Sequence, residues 1–506
     1  MKPLTLVLPF FVVVPLSAQT LLHSHVLPLG WSVQSLRPAG DVDGDSYADV
    51  VALVINQSNP PISVPTLLVL SGRTGAPILT VTDVALQNTY DLFGFGDVNN
   101  DGRSDLVAIT YSDLRVYSGA NGNLLWSLPQ PAPGEDWRAA CAVGDFDGNG
   151  RADLAVATYG NGVITLRVRR GENGSVLTNL GTINNSSGSL TMRGLGDLNG
   201  DGKQEVVVAT EQSGAYVLNG NTGAVLWTLP LPGNDAFRRV EAIDLDGDGR
   251  REVFLIRPQF QTIGVFGRTT VHAPLTGATL LTLNGQPNAG LGGAVAALGD
   301  LDQDGRQDFV TLAGASLRAS SGFDGRRLWP LSSWVAGMSI SERMVGVGDV
   351  DGDGFGEFVV LLSNGVQPDS LNLLSGRVLA EAQPVQPACG GGPFFPLLGS
   401  TRPILGQSMT IAGQDDPPGV PGILVFSLAP PASTWLGAST CYAHFDLGGG
   451  IALAPLTQPQ WSLTVPVPLV PQFAGLECAL QSWHVPTSGP LGYDLSNGML
   501  LRLGHP

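Results

Sequence analysis

Short apolar runs bounded by glycine, asparagine or aspartate recur along most of the chain, among them Val50 to Ile55, Leu106 to Ile109, Val206 to Ala209 and Phe358 to Leu362. Runs of this length, rich in β-branched residues and lacking a 3.6-residue period, predict strands. A second pattern lies between them: an apolar run, a turn with glycine at its second and fifth positions, then another apolar run. Leu68 to Leu70, Ser71-Gly72-Arg73-Thr74-Gly75, then Ile78 and Leu79 is one example. The same turn returns at Ser118 to Gly122, Asn219 to Gly223 and Ser321 to Gly325, and it predicts hairpins with glycine at the positive-φ positions. Each repeat therefore reads as a four-stranded antiparallel sheet, and a radial set of such sheets is a β-propeller.

A nine-residue acidic loop sets the repeat. Its polar positions 1, 3, 5 and 9 are Asp41, Asp43, Asp45 and Asp49; Asp97, Asn99, Asp101 and Asp105; Asp145, Asp147, Asn149 and Asp153; and Asp197, Asn199, Asp201 and Glu205. They continue as Asp244, Asp246, Asp248 and Glu252; Asp300, Asp302, Asp304 and Asp308; and Asp349, Asp351, Asp353 and Glu357. Successive loops start 47 to 56 residues apart, close to the repeat lengths of propellers. Seven sheets are thus expected, with Leu21 to Leu29 supplying a strand that closes the ring against the seventh.

Oxygen side chains at positions 1, 3 and 5 of a tight loop converge on one point, the acid at position 9 closes the site as a further expected ligand, and glycine at position 6 lets the chain turn back. A hard divalent cation, calcium, suits such a site, so up to seven ions are expected. Position 6 is glycine in six loops and Ser46 in the first. Position 7 varies among residues such as Tyr47, Arg103, Lys203 and Phe355, as expected where the metal needs only a carbonyl oxygen. EF-hands close with an acid at position 12, where this chain has Ala52, Ala108, Val156, Val208, Leu255, Thr311 and Val360. A solvated acidic turn accounts for one such loop but not for seven in register.

The Gly-Asp-x-Asp-x-Asp-Gly-x-x-Asp loops followed by apolar strands resemble FG-GAP/VCBS repeats, the family of the integrin alpha-chain propeller. The resemblance covers about residues 31 to 382, and the leading glycine is present at Gly40, Gly96, Gly144, Gly196, Gly299 and Gly348 but replaced by Ile243 in the fifth repeat. It implies calcium on one rim, ligands on the other, and acidic loops that act as scaffold.

Charge changes this picture in one respect. The formal net charge is −17, only 14 % of residues are charged, and the loops hold 25 of the 43 acidic residues. Most of the net charge is therefore ligand charge. The only lysines are Lys2 and Lys203, and no long basic run occurs, which excludes the electrostatic footprint of a nucleic-acid binder. Lys2, the apolar run Leu4 to Leu16 and the small pair Ser17 and Ala18 have the order of a secretory signal, so residues 1–18 are expected to direct a secreted or cell-surface protein. That run is interrupted by Pro9 and Pro15 and is too short to span a bilayer, and no later segment is long enough.

The expected organisation is a signal segment at 1–18, an all-β, seven-bladed propeller at 19–382 and a small C-terminal β-sandwich at 383–506. The tail opens with a Pro- and Gly-rich stretch, Gln383 to Pro396, and then alternates short apolar runs with turns. From Cys389 through Ile404-Leu405-Gly406 to Leu495-Ser496-Asn497-Gly498 it resembles a C-terminal module of secreted bacterial proteins, which implies attachment or sorting at the cell surface. One disulfide, Cys389 to Cys441, is expected to staple it, with Cys141 an inert core thiol.

No nucleophile elbow, HExxH motif or phosphate loop is present. Trp126, Trp227 and Trp329 follow glycine turns as in quinoprotein propellers, but they occur in only three repeats and read better as packing between sheets. The expected function is that of a monomeric, non-catalytic calcium propeller for adhesion or interaction, with an unidentified protein or glycan ligand. The alternative is an extracellular carbohydrate-active or quinone-dependent enzyme that uses the propeller mouth.

Overall fold

The computed structural model describes residues 21–506 apart from 58–63, 186–188, 212, 231–238, 258–266, 286–290, 303, 314–315, 327, 329–338, 364–367, 377–380, 386–396, 401–403, 405, 415–421, 429–433, 436–441, 444–450, 457–459, 469–475, 485–493, 496–497 and 504–506. The expected signal segment, Trp329, Cys389 and Cys441 lie outside the described residues. Among those described, no helix is long and apolar enough to cross a membrane.

The architecture is almost entirely β, a series of repeated sheets of propeller type. The first sheet runs Trp31–Gly40, Asp49–Asn56, Pro65–Leu70, Pro77–Thr82, with each strand antiparallel to the next. The same order recurs in the sheets starting at Thr89, Glu135, Leu190 and Arg239. Three strands of the next sheet are described, Leu291–Gly299, Asp308–Ala313 and Ser316–Ser320. In the last, Ser339–Gly348, Glu357–Ser363 and Ser370–Ser375 take Leu21–Val26 as their fourth strand, so the start of the chain completes a sheet built from residues more than 300 positions later.

The burial pattern explains the two kinds of apolar run. The second strand of each sheet has neighbouring sheets on both faces, so Asp105–Thr110 and Glu205–Thr210 are buried at every position. The outermost strand has a wet edge and alternates instead, as in Leu124–Pro129. Apolar burial is accordingly divided among clusters lying between successive sheets. Val51, Leu67 and Val69 of the first sheet pack with Leu92 and Leu106 of the second, and Val50, Val54 and Leu70 of the first pack with Val347, Leu361 and Leu373 of the last. The series therefore closes on itself. At about 1.5 to 3 kcal/mol per buried Val, Leu or Phe, these contacts dominate the stability of the fold.

Described tryptophans tie neighbouring sheets, Trp137 Nε1 donating to the Pro129 carbonyl of the preceding sheet (3.1 Å). Trp126 Nε1 donates to the Gly171 carbonyl in the glycine turn of the next sheet (2.7 Å), and Trp227 Nε1 donates to the Pro274 carbonyl (2.8 Å) in the equivalent place. Beyond the repeats, Glu381–Val385, Gly498–Arg502, Glu477–His484, Gly422–Ser427 and Ile451–Leu456 form one sheet, and Leu397–Ser400, Ser408–Gln414 and Gln460–Pro466 form another. Met409 and Ile411 of the second share a core with Leu424, Leu480 and Leu501 of the first.

Candidate metal centres

Each acidic loop joins the first strand of a sheet to the second, so all of them sit at the same end of their sheets. In the first, Asp41 accepts from the backbone N–H groups of Gly44 (2.6 Å) and Ser46 (2.9 Å), while Asp45 accepts from Tyr47 (2.9 Å). The position-1 aspartate repeats this role in the other loops. Asp97 binds Gly102 (2.7 Å), Asp145 binds Gly150 (2.7 Å), Asp197 binds Gly202 (2.8 Å), Asp244 binds Gly249 (2.9 Å), Asp300 binds Gly305 (2.9 Å) and Asp349 binds Gly354 (3.0 Å).

Position 6 shows why glycine suits this turn. Ser46 takes φ 72°, the same left-handed conformation as Gly102, Gly150 and Gly354. Such a conformation costs a side-chain-bearing residue about 1 to 2 kcal/mol. Ser46→Gly is therefore expected to raise unfolding stability by about 1 kcal/mol and to tighten calcium binding at the first loop, measured by urea melts and by calcium titration.

The acid at position 9 does something the sequence pattern did not show. Asp49, Asp105, Asp153, Glu205, Asp308 and Glu357 have no exposed surface, and Glu252 has almost none. Asp105 accepts from Val98 N in its own loop and from Gly119 N in the glycine turn, both at 2.9 Å. Asp49 does the same with Val42 and Gly72, Asp153 with Phe146 and Gly171, and Asp308 with Leu301 and Gly322. The acidic loop and the glycine turn are two halves of one clasp. This corrects the expectation that both turn glycines serve positive φ. Gly75, Gly122 and Gly325 do, but Gly72, Gly119 and Gly322 do not; a Cβ on any of those three would lie within about 2 Å of a backbone oxygen of the loop.

Carboxylate oxygens of Asp41, Asp43 and Asp45 lie within 4.8 Å of one another, as do those of Asp145, Asp147 and Asp153; Asp244, Asp246 and Asp248; Asp300, Asp302 and Asp304; and Asp349, Asp351 and Asp353. Oxygens bound to one calcium at about 2.4 Å can be separated by at most about twice that distance, so the clusters have the right size. Buried Oδ1 of Asp147 and Oε1 of Glu357 have no hydrogen-bond donor, which leaves acceptors of the kind a cation satisfies. In the second and fourth loops the asparagine at position 3 instead turns its amide nitrogen to acids, Asn99 to Asp101 (2.9 Å) and Asn199 to Glu205 (2.9 Å).

Burial drives the closing carboxylates up, with the other loop acids adding to it: Asp49 and Asp105 to about 6, Glu357 to about 7 and Asp308 to about 8. Asp153, Glu205 and Glu252 move the same way for the same first reason. Backbone N–H donors oppose the rise without cancelling it.

The variable position 7 also acquires a role. Arg103 donates to the Val42 carbonyl of the preceding loop (2.9 Å), and Lys203 donates to the Phe146 carbonyl. In these two loops the side chain, irrelevant to a metal, ties adjacent loops together. Cys141 is fully buried, its thiol pushed up to about 12 by burial, and His272 is satisfied by the Gly277 carbonyl and Thr270 Oγ1. Both are core residues.

Residues 97–156 and 197–255 match an FG-GAP-like repeat family, and residues 137–177 match the FG-GAP repeat itself. The chain thus carries FG-GAP-like repeats within a β-propeller-type fold. It is similar to Protein FAM234B of Mus musculus, 29% identical over 185 residues that make up 33% of this chain and 28% of that protein. The chain spans little more than a quarter of that relative. Among solved structures, BBS1N in complex with ARL6DN has a TM-score of 0.49 at 11% identity, covering 71% of this chain and 97% of its own. Raptor of Chaetomium thermophilum has a TM-score of 0.43 at 13% identity, covering 70% and 29%.

Proposed function

We propose that this chain is a secreted or cell-surface seven-bladed propeller followed by a β-sandwich, stabilised by up to seven calcium ions and acting as a non-catalytic interaction protein. One observation carries the reading: the loops that carry the clustered carboxylates are clasped to the hairpins by their buried position-9 acids, which is scaffold chemistry. The FG-GAP-like repeats support the same view. Calcium would be held by positions 1, 3 and 5 and the position-7 carbonyl, and the buried position-9 acid would fasten that cage to the sheet. The ion supplies positive charge and fixed coordination; the chain's own groups orient the loops. Residues 1–18 and the domain limits at 382 and 383 belong to this proposal, as does the Cys389 to Cys441 bridge.

The opposite end of the sheets is where a protein or glycan would bind. There the Arg138 guanidinium lies 5.4, 5.7 and 5.4 Å from the ring centres of Tyr90, Tyr111 and Tyr159, and it donates to Tyr90 Oη (3.0 Å). Tyr111, between two strands, is half exposed. An amphipathic aromatic cluster held by a cation suits the faces of sugar rings or apolar side chains. The calcium-loaded full chain on a glycan array, with purified surface proteins as parallel probes, should give saturable binding that Tyr111→Ala lowers about tenfold at unchanged melting temperature. Turnover of a polysaccharide, or binding indifferent to Tyr111→Ala, would count against this reading.

A further inference from the structure

The acidic loops are fastened to one another as well as to the glycine turns of their own sheets. Ser104, Arg251, Gln307 and Gly356 stand at position 8 of the second, fifth, sixth and seventh loops, just before the closing acid. Their backbone N–H groups donate to carbonyls at the preceding loop: Ser104 to Asp41 (2.8 Å), Arg251 to Leu195 (3.0 Å), Gln307 to Leu245 (2.7 Å) and Gly356 to Leu298 (2.7 Å). Asp41 and Leu245 hold positions 1 and 2 of their loops, and Leu195 and Leu298 lie two residues ahead of Asp197 and Asp300.

Side chains add to these bonds. Ser104 Oγ donates to the Ala39 carbonyl (2.7 Å), Arg103 to the Val42 carbonyl (2.9 Å) and Lys203 to the Phe146 carbonyl. Val42 and Phe146 occupy position 2, between the first two acids of their loops. The glycine that precedes the first acid leaves room for this approach. A Cβ on Gly40, Gly96 or Gly144 would lie 2.5, 2.9 or 2.7 Å from a side-chain atom of Ser104, Ala152 or Gln204, each at position 8 of the next loop.

Positions 7 and 8 therefore face two ways. The position-7 carbonyl turns to its own loop, while the side chain at 7 and the N–H at 8 hold the loop before. Arg103 and Ser104 do this most fully, with three donors on Ala39, Asp41 and Val42, the backbone that carries the Asp41 and Asp43 carboxylates. Whatever fixes residue 103 in the second loop also fixes the donors that hold the first.

We propose that neighbouring loops are coupled through these ties, so that an ion in one loop raises the calcium affinity of the loop before it, a coupling that rests on the acidic loops being calcium sites as proposed above. Ordering a loop costs conformational entropy, and a neighbour already held by its ion has met part of that cost. Linkage makes the effect reciprocal. Charge opposes it, because an ion in one loop cancels negative charge that would draw calcium to the next. Salt at about 0.15 M weakens that opposition by screening exposed charges over about 8 Å.

Terbium, a trivalent ion of calcium's size, tests this when titrated into the metal-stripped full chain at about 0.15 M KCl. Tyr47 sits at position 7 of the first loop, so luminescence excited through its ring and lost in Tyr47→Phe reports that loop alone. Disabling the second loop with Asp97→Asn and Asp101→Asn together should weaken terbium at the first about fivefold. With Arg103→Ala and Ser104→Ala also present, which keep every loop acid but remove two of the three ties, the same disabling should weaken it about twofold or less. If the doubly disabled chain fails to fold, Asp101→Asn alone decides by the same comparison, since the third loop already carries Asn149 at that position. First-loop affinity indifferent to the second loop, or an equal loss with and without the ties, would overturn the coupling and leave calcium binding in place. A stripped chain that takes up no calcium by elemental analysis would overturn both.

Discussion

Chelation of calcium should lower the melting temperature by on the order of 15 °C, the largest single effect expected for this protein. Three carboxylates within 4.8 Å of one another recur in loop after loop, and two unit charges about 4 Å apart repel by about 4 kcal/mol at an effective dielectric near 20. A site with Kd about 0.1 mM in about 1 mM free calcium gains about 1.4 kcal/mol by linkage, or on the order of 10 kcal/mol over seven loops. That equals a typical domain's whole stability. Differential scanning calorimetry with and without EDTA, with metal content followed by elemental analysis, measures it. An unchanged melt after confirmed metal loss would remove the structural role of the ions.

In EDTA, stability should fall as pH rises from about 4 to about 8, the reverse of the usual behaviour of paired carboxylates. Burial raises Asp49 and Asp105 to about 6, Glu357 to about 7 and Asp308 to about 8, against about 4 in the unfolded chain. Between those limits the folded state holds more protons than the unfolded state, so the slope of unfolding free energy with pH is negative. Nothing is lost below about pH 4, where both states are protonated, and the loss is complete above about pH 8. Every tenfold difference in proton affinity between the folded and unfolded chain is worth about 1.4 kcal/mol, so these acids together should cost several kcal/mol between about pH 5 and pH 8. Saturating calcium should invert the slope, because protons and metal compete for the same oxygens. Urea melts at about pH 5 and pH 8, in EDTA and in calcium, decide the point, and an EDTA-treated protein more stable at the higher pH would contradict the burial of these acids.

Some parts of the site were legible in the sequence and others were not. Positions 1, 3 and 5 were legible because a tight loop folds on local backbone rules: the carboxylate of Asp41 reaches the N–H groups of Gly44 and Ser46 within five residues. The clasp between Asp105 and Gly119 was not legible, since both residues already had a local explanation, one as a ligand and the other as a turn. Spacing gave little signal either, being 14 residues from Asp105 to Gly119 and from Asp308 to Gly322 but 23 from Asp49 to Gly72 and 18 from Asp153 to Gly171. The tie from Arg103 to Val42 left no signal at all, because it spans a whole repeat and any long cation can make it.

Taken alone, the sequence determined the β character, the repeat and the acidic loops, because strand periodicity and turn chemistry act over a few residues. Tertiary structure decided what those loops are fastened to, that Leu21–Val26 completes the sheet of Ser370–Ser375, and that the donors of Arg103 and Ser104 meet the backbone of the preceding loop. Each depends on how sheets close against one another. Closure brings together residues far apart along the chain, and no local pattern records which of them will meet.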